Sequence, residues 1–336
     1  MVVTNSEKPK ADVRPTGAPT MPPQVVMLQV ANAYRVSQAI HVAAKLGIAD
    51  LLVNGAKSIP ALAEATQTDP QSLYRLLRSL ASMGIFAETE TGDFELTPRG
   101  ATLQSGVSGS LRDYAIVAGE QWHWQTWGDV LYSVKTGKPA FDHQYGMEFL
   151  DYFAQNPDLA DTFDRSMVSL LETIDTSILA NYDFSSFGTI VEVGILGGYG
   201  NLLARILTAN PVLRGVFFDL APGLELAKHV FADQGMLDRC QLVEGDIFES
   251  LPKGGDVYIL KNFIHDFDDQ DALRVLTHCC DAMDDTAKLL VVEMVIPPGN
   301  APALGKIVDI EALIMSSGMS EPKPSIDRCL LPQAYL

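Results

Sequence analysis

Beyond Ser185 the apolar pattern of the chain changes period, and that change leaves few folds open. Five short apolar runs, Thr189 to Val193, Val216 to Phe218, Cys240 to Val243, Val257 to Leu260 and Leu289 to Met294, alternate with stretches of helical spacing. Runs apolar on both faces need cover on both faces, and strands separated by helices come back parallel. The pattern therefore predicts an α/β unit, an open and mostly parallel sheet between helices, over residues 186–321. Ligands of such sheets bind at the carboxyl ends of the strands, so the residues that close each run are the candidates for chemistry.

The preceding sequence reads differently. Residues 1–20 mix Lys, Pro, Gly, Thr and Ser without apolar periodicity and are expected to be a loose tail. From Pro23 to Leu52 the positions Val26, Leu28, Val30, Ala33, Val36, Ile40, Ala43, Leu46 and Ile48 recur at helical spacing, which predicts one or two helices with a buried stripe and a stop at Gly47. Ile59 to Ala65 and the run opened by Asp69-Pro70 and closed by Gly84 have a helix-turn-helix cadence. Ile85-Phe86-Ala87 and Phe94-Glu95-Leu96 then flank a Thr91-Gly92-Asp93 turn as the two strands of a wing, giving an α-rich winged-helix-like domain over residues 21–105. A helical linker over residues 106–185 carries Trp122, Trp124 and Trp127 with His123. Rings this dense either line a pocket for a flat substrate or pack between helices.

Charge decides what the winged helix is for. The formal net charge is -18, a sign that repels phosphate backbones and anionic lipid, and the second helix of the motif offers only Arg75 and Arg78. A protein-contact role, dimerisation, is favoured over nucleic-acid binding. The four cysteines, Cys240, Cys279, Cys280 and Cys329, show no metal-chelating or disulfide spacing, and no apolar run reaches membrane-span length. A cytoplasmic protein without nucleic-acid, membrane or metal partners is expected.

The strand ends supply a consistent set of groups. The first run leads into Gly194-Ile195-Leu196-Gly197-Gly198-Tyr199-Gly200, whose glycines let backbone lie against a ligand; a loop of this kind suits dinucleotides, nucleosides and plain tight turns alike. Asp219, followed by Leu220, closes the second run about twenty residues on, where a carboxylate can accept from both ribose hydroxyls. Asp246 follows the third run, with Ile247 and Phe248 as apolar flanks for an adenine. His265 and Asp266 follow the fourth, in Leu260-Lys261-Asn262-Phe263-Ile264-His265-Asp266-Phe267-Asp268-Asp269. His265 in that crevice is a candidate general base. Glu293 stands in the apolar fifth run and needs a partner, for which a histidine held in one tautomer is well suited.

At these residues the sequence resembles the class I S-adenosylmethionine-dependent O-methyltransferases of the plant phenolic and bacterial polyketide-tailoring type, from about Met21 to Glu321. The segment from Leu260 to Asp269 is the most specific match, with Phe267 where Trp is usual; Leu76-Leu77-Arg78-Ser79-Leu80, Phe94-Glu95-Leu96-Thr97-Pro98 and Thr136-Gly137-Lys138-Pro139-Ala140-Phe141 add to it. The resemblance implies a Rossmann-like domain behind a winged-helix dimerisation domain, a homodimer, and S-adenosyl-L-methionine as cofactor. It implies that Gly194 and its loop, with Gly198 and Gly200, serve the methionine part, Asp219 the ribose and Asp246 with Ile247 the adenine, with Lys261 in contact with the cofactor and Glu192 and Leu220 also among its binding residues. His265 would take the proton of a small hydroxylated aromatic or polyketide-like substrate, bracketed by Glu293 and Glu321, and Trp124, Phe163, Met167 and Asp266 would face that substrate. The cofactor's methyl group is already activated, so the resemblance calls for no metal.

Two departures qualify the pattern. Ile195 and Leu196 stand inside the glycine loop, and residues 322–336 do not continue the family's text, so the final strand hairpin of the sheet is expected to be missing. A family member that binds the cofactor without transferring methyl is one alternative. A metabolite-sensing winged-helix regulator is another.

Overall fold

Helix starts in the N-terminal half are set by short polar caps, which fix where each apolar face points. In this computed structural model residues 21–194, 199–262, 264–267 and 269–315 are described; the expected tail over residues 1–20, the inserted Ile195-Leu196 and residues 322–336 lie outside them. Asp69 Oδ1 accepts the Ser72 N–H at 2.8 Å and opens the helix Pro70–Ala81, whose Leu73, Leu77 and Leu80 are buried. Gly84, at φ 70°, ends that segment as predicted and turns the chain into β1 (Phe86–Glu88), antiparallel to β2 (Phe94–Leu96). The helix Ile59–Thr66 completes the winged-helix pattern, and Phe86 and Phe94 bury between wing and helices.

The expected buried stripe of the first segment holds only in part. Residues 23–52 form three helices, Pro23–Ala31, Tyr34–Lys45 and Ile48–Leu51, with Gly47 left-handed between the last two. The first of them buries nothing: Val26, Leu28 and Val30 are 42%, 62% and 66% exposed. Helical spacing fixes which residues share a face, and another body must be present to cover it.

Contacts divide the chain after Gly119. The helix Arg112–Gly119 packs on Tyr34–Lys45, tied by the His41 Nδ1–H to the Ile116 carbonyl at 2.8 Å and by Arg112 Nε to the Ala44 carbonyl at 3.1 Å. Gly119 meets the His41 ring so closely that a Cβ there would lie 2.2 Å from it.

The second unit begins with helices, from Gln121–Gly128 to the long Pro157–Asn181, and continues as the predicted α/β pattern. Strands β3 (Thr189–Val193), β4 (Arg214–Asp219), β5 (Cys240–Glu244), β6 (Val257–Lys261) and β7 (Lys288–Val292) form one parallel sheet in the order β5-β4-β3-β6-β7. Alternate residues bury on opposite faces: Ile190 and Phe217 join one core with Leu203 and Phe231, and Val191 and Phe218 join the other with Val275 and Cys279. The fifth strand is shorter than its apolar run, so Glu293 falls just past the end of β7 rather than within it. Among the described residues no helix is long and apolar enough to cross a membrane.

Candidate active site

Parallel pairing brings the ends of β3, β4, β5 and β6 to one rim, with Val193 opposite Phe218 and Leu260, and Asp219 opposite Glu244. At that rim lies a cavity of about 540 Å³ whose wall includes Gly194, Tyr199, Asp219, Leu220, Asp246 and Ile247. That is inside the range of small-molecule sites, roughly 300–1,000 Å³. Phe248 and Phe267, ring centroids 5.1 Å apart and edge-on, close one apolar side.

Two glycines cradle the Asp219 carboxylate. A Cβ on Gly194 would lie 2.4 Å from Asp219 Oδ2, and one on Gly223 would lie 2.2 Å from it, so only glycine lets the carboxylate sit where it does. Asp219 Oδ1 accepts the Leu220 N–H at 2.7 Å, and burial holds its pKa above the ordinary carboxylate value. Asp246 Oδ1 accepts the Phe248 N–H at 2.8 Å, fixing the turn that presents Ile247. Two carboxylates, an apolar wall and close backbone are the donor set that an adenosyl group needs, so these residues fit the expected cofactor.

Glu192 and Lys261 stand apart from that wall. Glu192 is buried, and its Oε2 accepts the Leu203 N–H at 2.8 Å, at the start of the helix Asn201–Ala209. Burial pushes its pKa up to about 7, against the pull of Lys261 and the Leu203 N–H. Lys261 Nζ lies 2.7 Å from Asp175 Oδ1, on the helix Pro157–Asn181, and both side chains are buried. Gly200, left-handed at φ 75°, serves packing, since a Cβ there would meet the Phe231 ring at 2.6 Å. Gly198 lies outside the described residues.

The histidine pair is as the sequence suggested. Asn262, left-handed at φ 56°, ends β6 while its N–H still donates to the Val292 carbonyl, and the chain then enters a short turn, Ile264–Asp266. That turn sets His265 Nδ1 2.6 Å from Glu293 Oε2, and Glu293 Oε1 accepts the Ile264 N–H at 2.8 Å. With Nδ1–H donating to the carboxylate, the ring is held in one tautomer and orientation. The imidazole is 46% exposed, two residues from the cavity-lining Phe267. Glu321 and the side chain of Asp266 lie outside the described residues.

The residues expected to face a substrate are dispersed within the helical part. Trp122, not Trp124, is the buried tryptophan, packed among Phe141, Phe149, Phe153 and Phe163 at centroid distances of 5.3 to 6.3 Å. Trp124 is exposed and Met167 half-buried. Glu311, on the helix Gly305–Met315, accepts from Trp127 Nε1 at 2.5 Å and pairs with His123 Nε2 at 2.7 Å. None of Trp124, Phe163 and Met167 lines the cavity.

Sequence reasoning missed Tyr199, Gly223 and Asp175. Gly223 was signalled by Asp219-Leu220-Ala221-Pro222-Gly223, a strand end running into a helix with proline in its first turn. Asp175, inside a 25-residue helix, carried no local signal.

Comparison with known proteins gives matches over both units. Residues 127–335 match the O-methyltransferase domain family and residues 28–106 the O-methyltransferase dimerisation domain. The chain is 40% identical over 298 residues to phenazine O-methyltransferase PhzM of Lysobacter antibioticus, covering 89% of this chain and 86% of that one. It is 35% identical to 8-amino-8-demethylriboflavin N,N-dimethyltransferase of Streptomyces davaonensis, covering 88% and 85%. Among solved structures it is similar to CalO1, a methyltransferase in calicheamicin biosynthesis in its SAH-bound form, with TM-score 0.79, 29% identity and coverage of 90% and 89%.

Proposed function

The chain belongs to the O-methyltransferase family, S-adenosylmethionine-dependent enzymes of secondary-metabolite type with an N-terminal dimerisation domain, and from that premise we propose that it methylates a hydroxyl of a small aromatic metabolite with His265 as general base. The observation that carries this reading is the His265–Glu293 pair at 2.6 Å beside a cavity walled by Asp219 and Asp246. The cofactor supplies a methyl group already activated by a sulfonium charge. The protein's part is to make the acceptor oxygen nucleophilic and to hold it in place. A hydroxyl attacks poorly until its proton leaves, and Nε2 of a neutral His265 can take it while Glu293 stabilises the imidazolium that results. Asp219 holds the ribose in this reading, Asp246 and Ile247 the adenine, and the aromatic-rich helices supply the acceptor's surroundings.

Incubation with methyl-labelled S-adenosylmethionine and a panel of phenols, beside a His265→Ala variant, tests it. The variant is expected to bind the cofactor as before and to lose roughly 10²- to 10⁴-fold in transfer. Equal transfer by both proteins removes His265 from the role. The riboflavin-type relative favours a second reading, transfer to an amine. A neutral amine already offers a lone pair, so N-methylation would survive His265→Ala, and an amine panel separates the two.

The same reading includes a homodimer. The helix Pro23–Ala31 exposes Val26, Met27, Leu28 and Val30 on a domain whose family match is to dimerisation, and a second copy is the cover these side chains lack.

A further inference from the structure

Next to the cavity lies a buried charge cluster that the transfer chemistry does not use. Asp175 and Glu192 are buried carboxylates close enough for Asp175 to push the Glu192 pKa up, and Lys261 is the only cation among the described buried side chains. Lys261 Nζ pairs with Asp175 Oδ1 at 2.7 Å, while Glu192 spends Oε2 on the Leu203 N–H at 2.8 Å. Asp175 Oδ2 is buried with no hydrogen-bond partner among the described residues. Asp219, on the strand beside Glu192 and in the cavity wall, adds a third carboxylate. Among the described buried side chains one ammonium thus stands against three carboxylates, a surplus that a low-dielectric interior tolerates only with a bound proton or a bound cation.

We propose that Asp175 and Glu192 determine cofactor specificity by holding uncompensated negative charge beside the cavity, favouring the cationic S-adenosylmethionine over its neutral product S-adenosylhomocysteine. The inference rests on the reading that this cavity holds the cofactor. Donor and product share the adenosine and the amino-acid group; they differ in one methyl and one positive charge. Apolar walls cannot read that charge, whereas a buried acid surplus acts on it directly. With no cation present the surplus is relieved by a proton on Glu192. Burial raises its pKa to about 7, with Asp175 and Asp219 pushing the same way and Lys261 and the Leu203 N–H opposing; the Cys240 thiol, itself held neutral by burial with a pKa of about 12, lies two strands away on β5. Binding the cation favours ionised Glu192, so a proton leaves to solvent as the donor enters. Below pH 7 that proton must be expelled, and donor affinity falls as pH falls.

Titration calorimetry on the full chain with S-adenosylmethionine and with S-adenosylhomocysteine, at about pH 6 and about pH 7.5, tests this. Donor affinity is expected to rise roughly five- to tenfold between the two, and product affinity to change less than about twofold. The α-amino group, with a pKa of about 7.7–8.0, is common to both ligands and cancels in their ratio. Repeating the donor titration in buffers of different ionisation enthalpy should reveal proton release. Glu192→Gln and Asp175→Asn should each flatten the donor-to-product ratio across pH, whereas a merely structural loss would weaken both ligands alike. A ratio that does not move with pH in the native protein, or that moves unchanged in both variants, overturns the proposal. Binding of neither ligand overturns the cavity assignment and this inference with it. The pH arms use unaltered protein, so a variant that does not fold leaves the test standing.

Discussion

Asp219 is held between Gly194 and Gly223, and the two glycines separate under substitution. On Gly223 the atoms nearest an added Cβ are all in the Asp219 carboxylate, the closest at 2.2 Å, while on Gly194 it also meets the buried Phe217 ring at 2.5 Å. Gly223→Ala is therefore expected to weaken S-adenosylmethionine binding about tenfold or more by displacing Asp219, the proposed ribose ligand, with the melting temperature little changed. Gly194→Ala should lose affinity and melting temperature together, because a packed core ring has to move. Calorimetry beside thermal unfolding distinguishes these, and an unaltered affinity in Gly223→Ala would mean that Asp219 does not hold the cofactor. Tyr199, left-handed at φ 44° in the same wall, is a non-glycine residue in a conformation that costs energy, which fits a loop shaped around a ligand.

Among elements, the helix Asn201–Ala209 connects the site to the body of the sheet. Its first turn gives the Leu203 N–H to Glu192, and its other end is closed by Arg239, whose Nη2 donates to the Leu207 carbonyl at 3.0 Å and whose Nη1 lies 3.1 and 3.2 Å from the Pro211 and Leu213 carbonyls. A planar guanidinium reaches several carbonyls at once, which a lysine cannot do. Arg239→Ala is expected to cost about 2 kcal/mol in urea unfolding, with Arg239→Lys recovering little of it. A loss below about 0.5 kcal/mol would show that these carbonyls find other donors. In the helical part, Glu311 joins Gly305–Met315 to Gln121–Gly128 through His123 and Trp127, so the tryptophan-rich segment that reads as either pocket or core serves first as packing and as an anchor for a later helix.

At the scale of the whole molecule, the exposed apolar helix Pro23–Ala31 and the net charge of -18 bear on the proposed homodimer. Charge of that size keeps copies apart except where apolar surface outweighs it. Val26→Glu combined with Leu28→Glu is expected to convert a dimer into a monomer by light scattering, since both side chains are exposed and neither belongs to a core. A double variant with the mass of the native protein would place the interface elsewhere.

The sequence by itself determined the local elements and their order. Strand limits agree with the apolar runs to within two residues at either end, the caps at Asp69 and Gly84 are where their chemistry puts them, and the pairing of His265 with Glu293 followed from the cost of an unpaired carboxylate beside β7. These are effects of backbone preference and hydrophobic period, which act over a few residues. Tertiary structure alone decided which side chains share a space. It turned Lys261 and Glu192 away from the cavity wall and into a cluster with Asp175, 86 positions before Lys261, and it left the stripe of the first helix uncovered. Burial and charge balance depend on what the fold brings from far along the chain, and no local pattern records that.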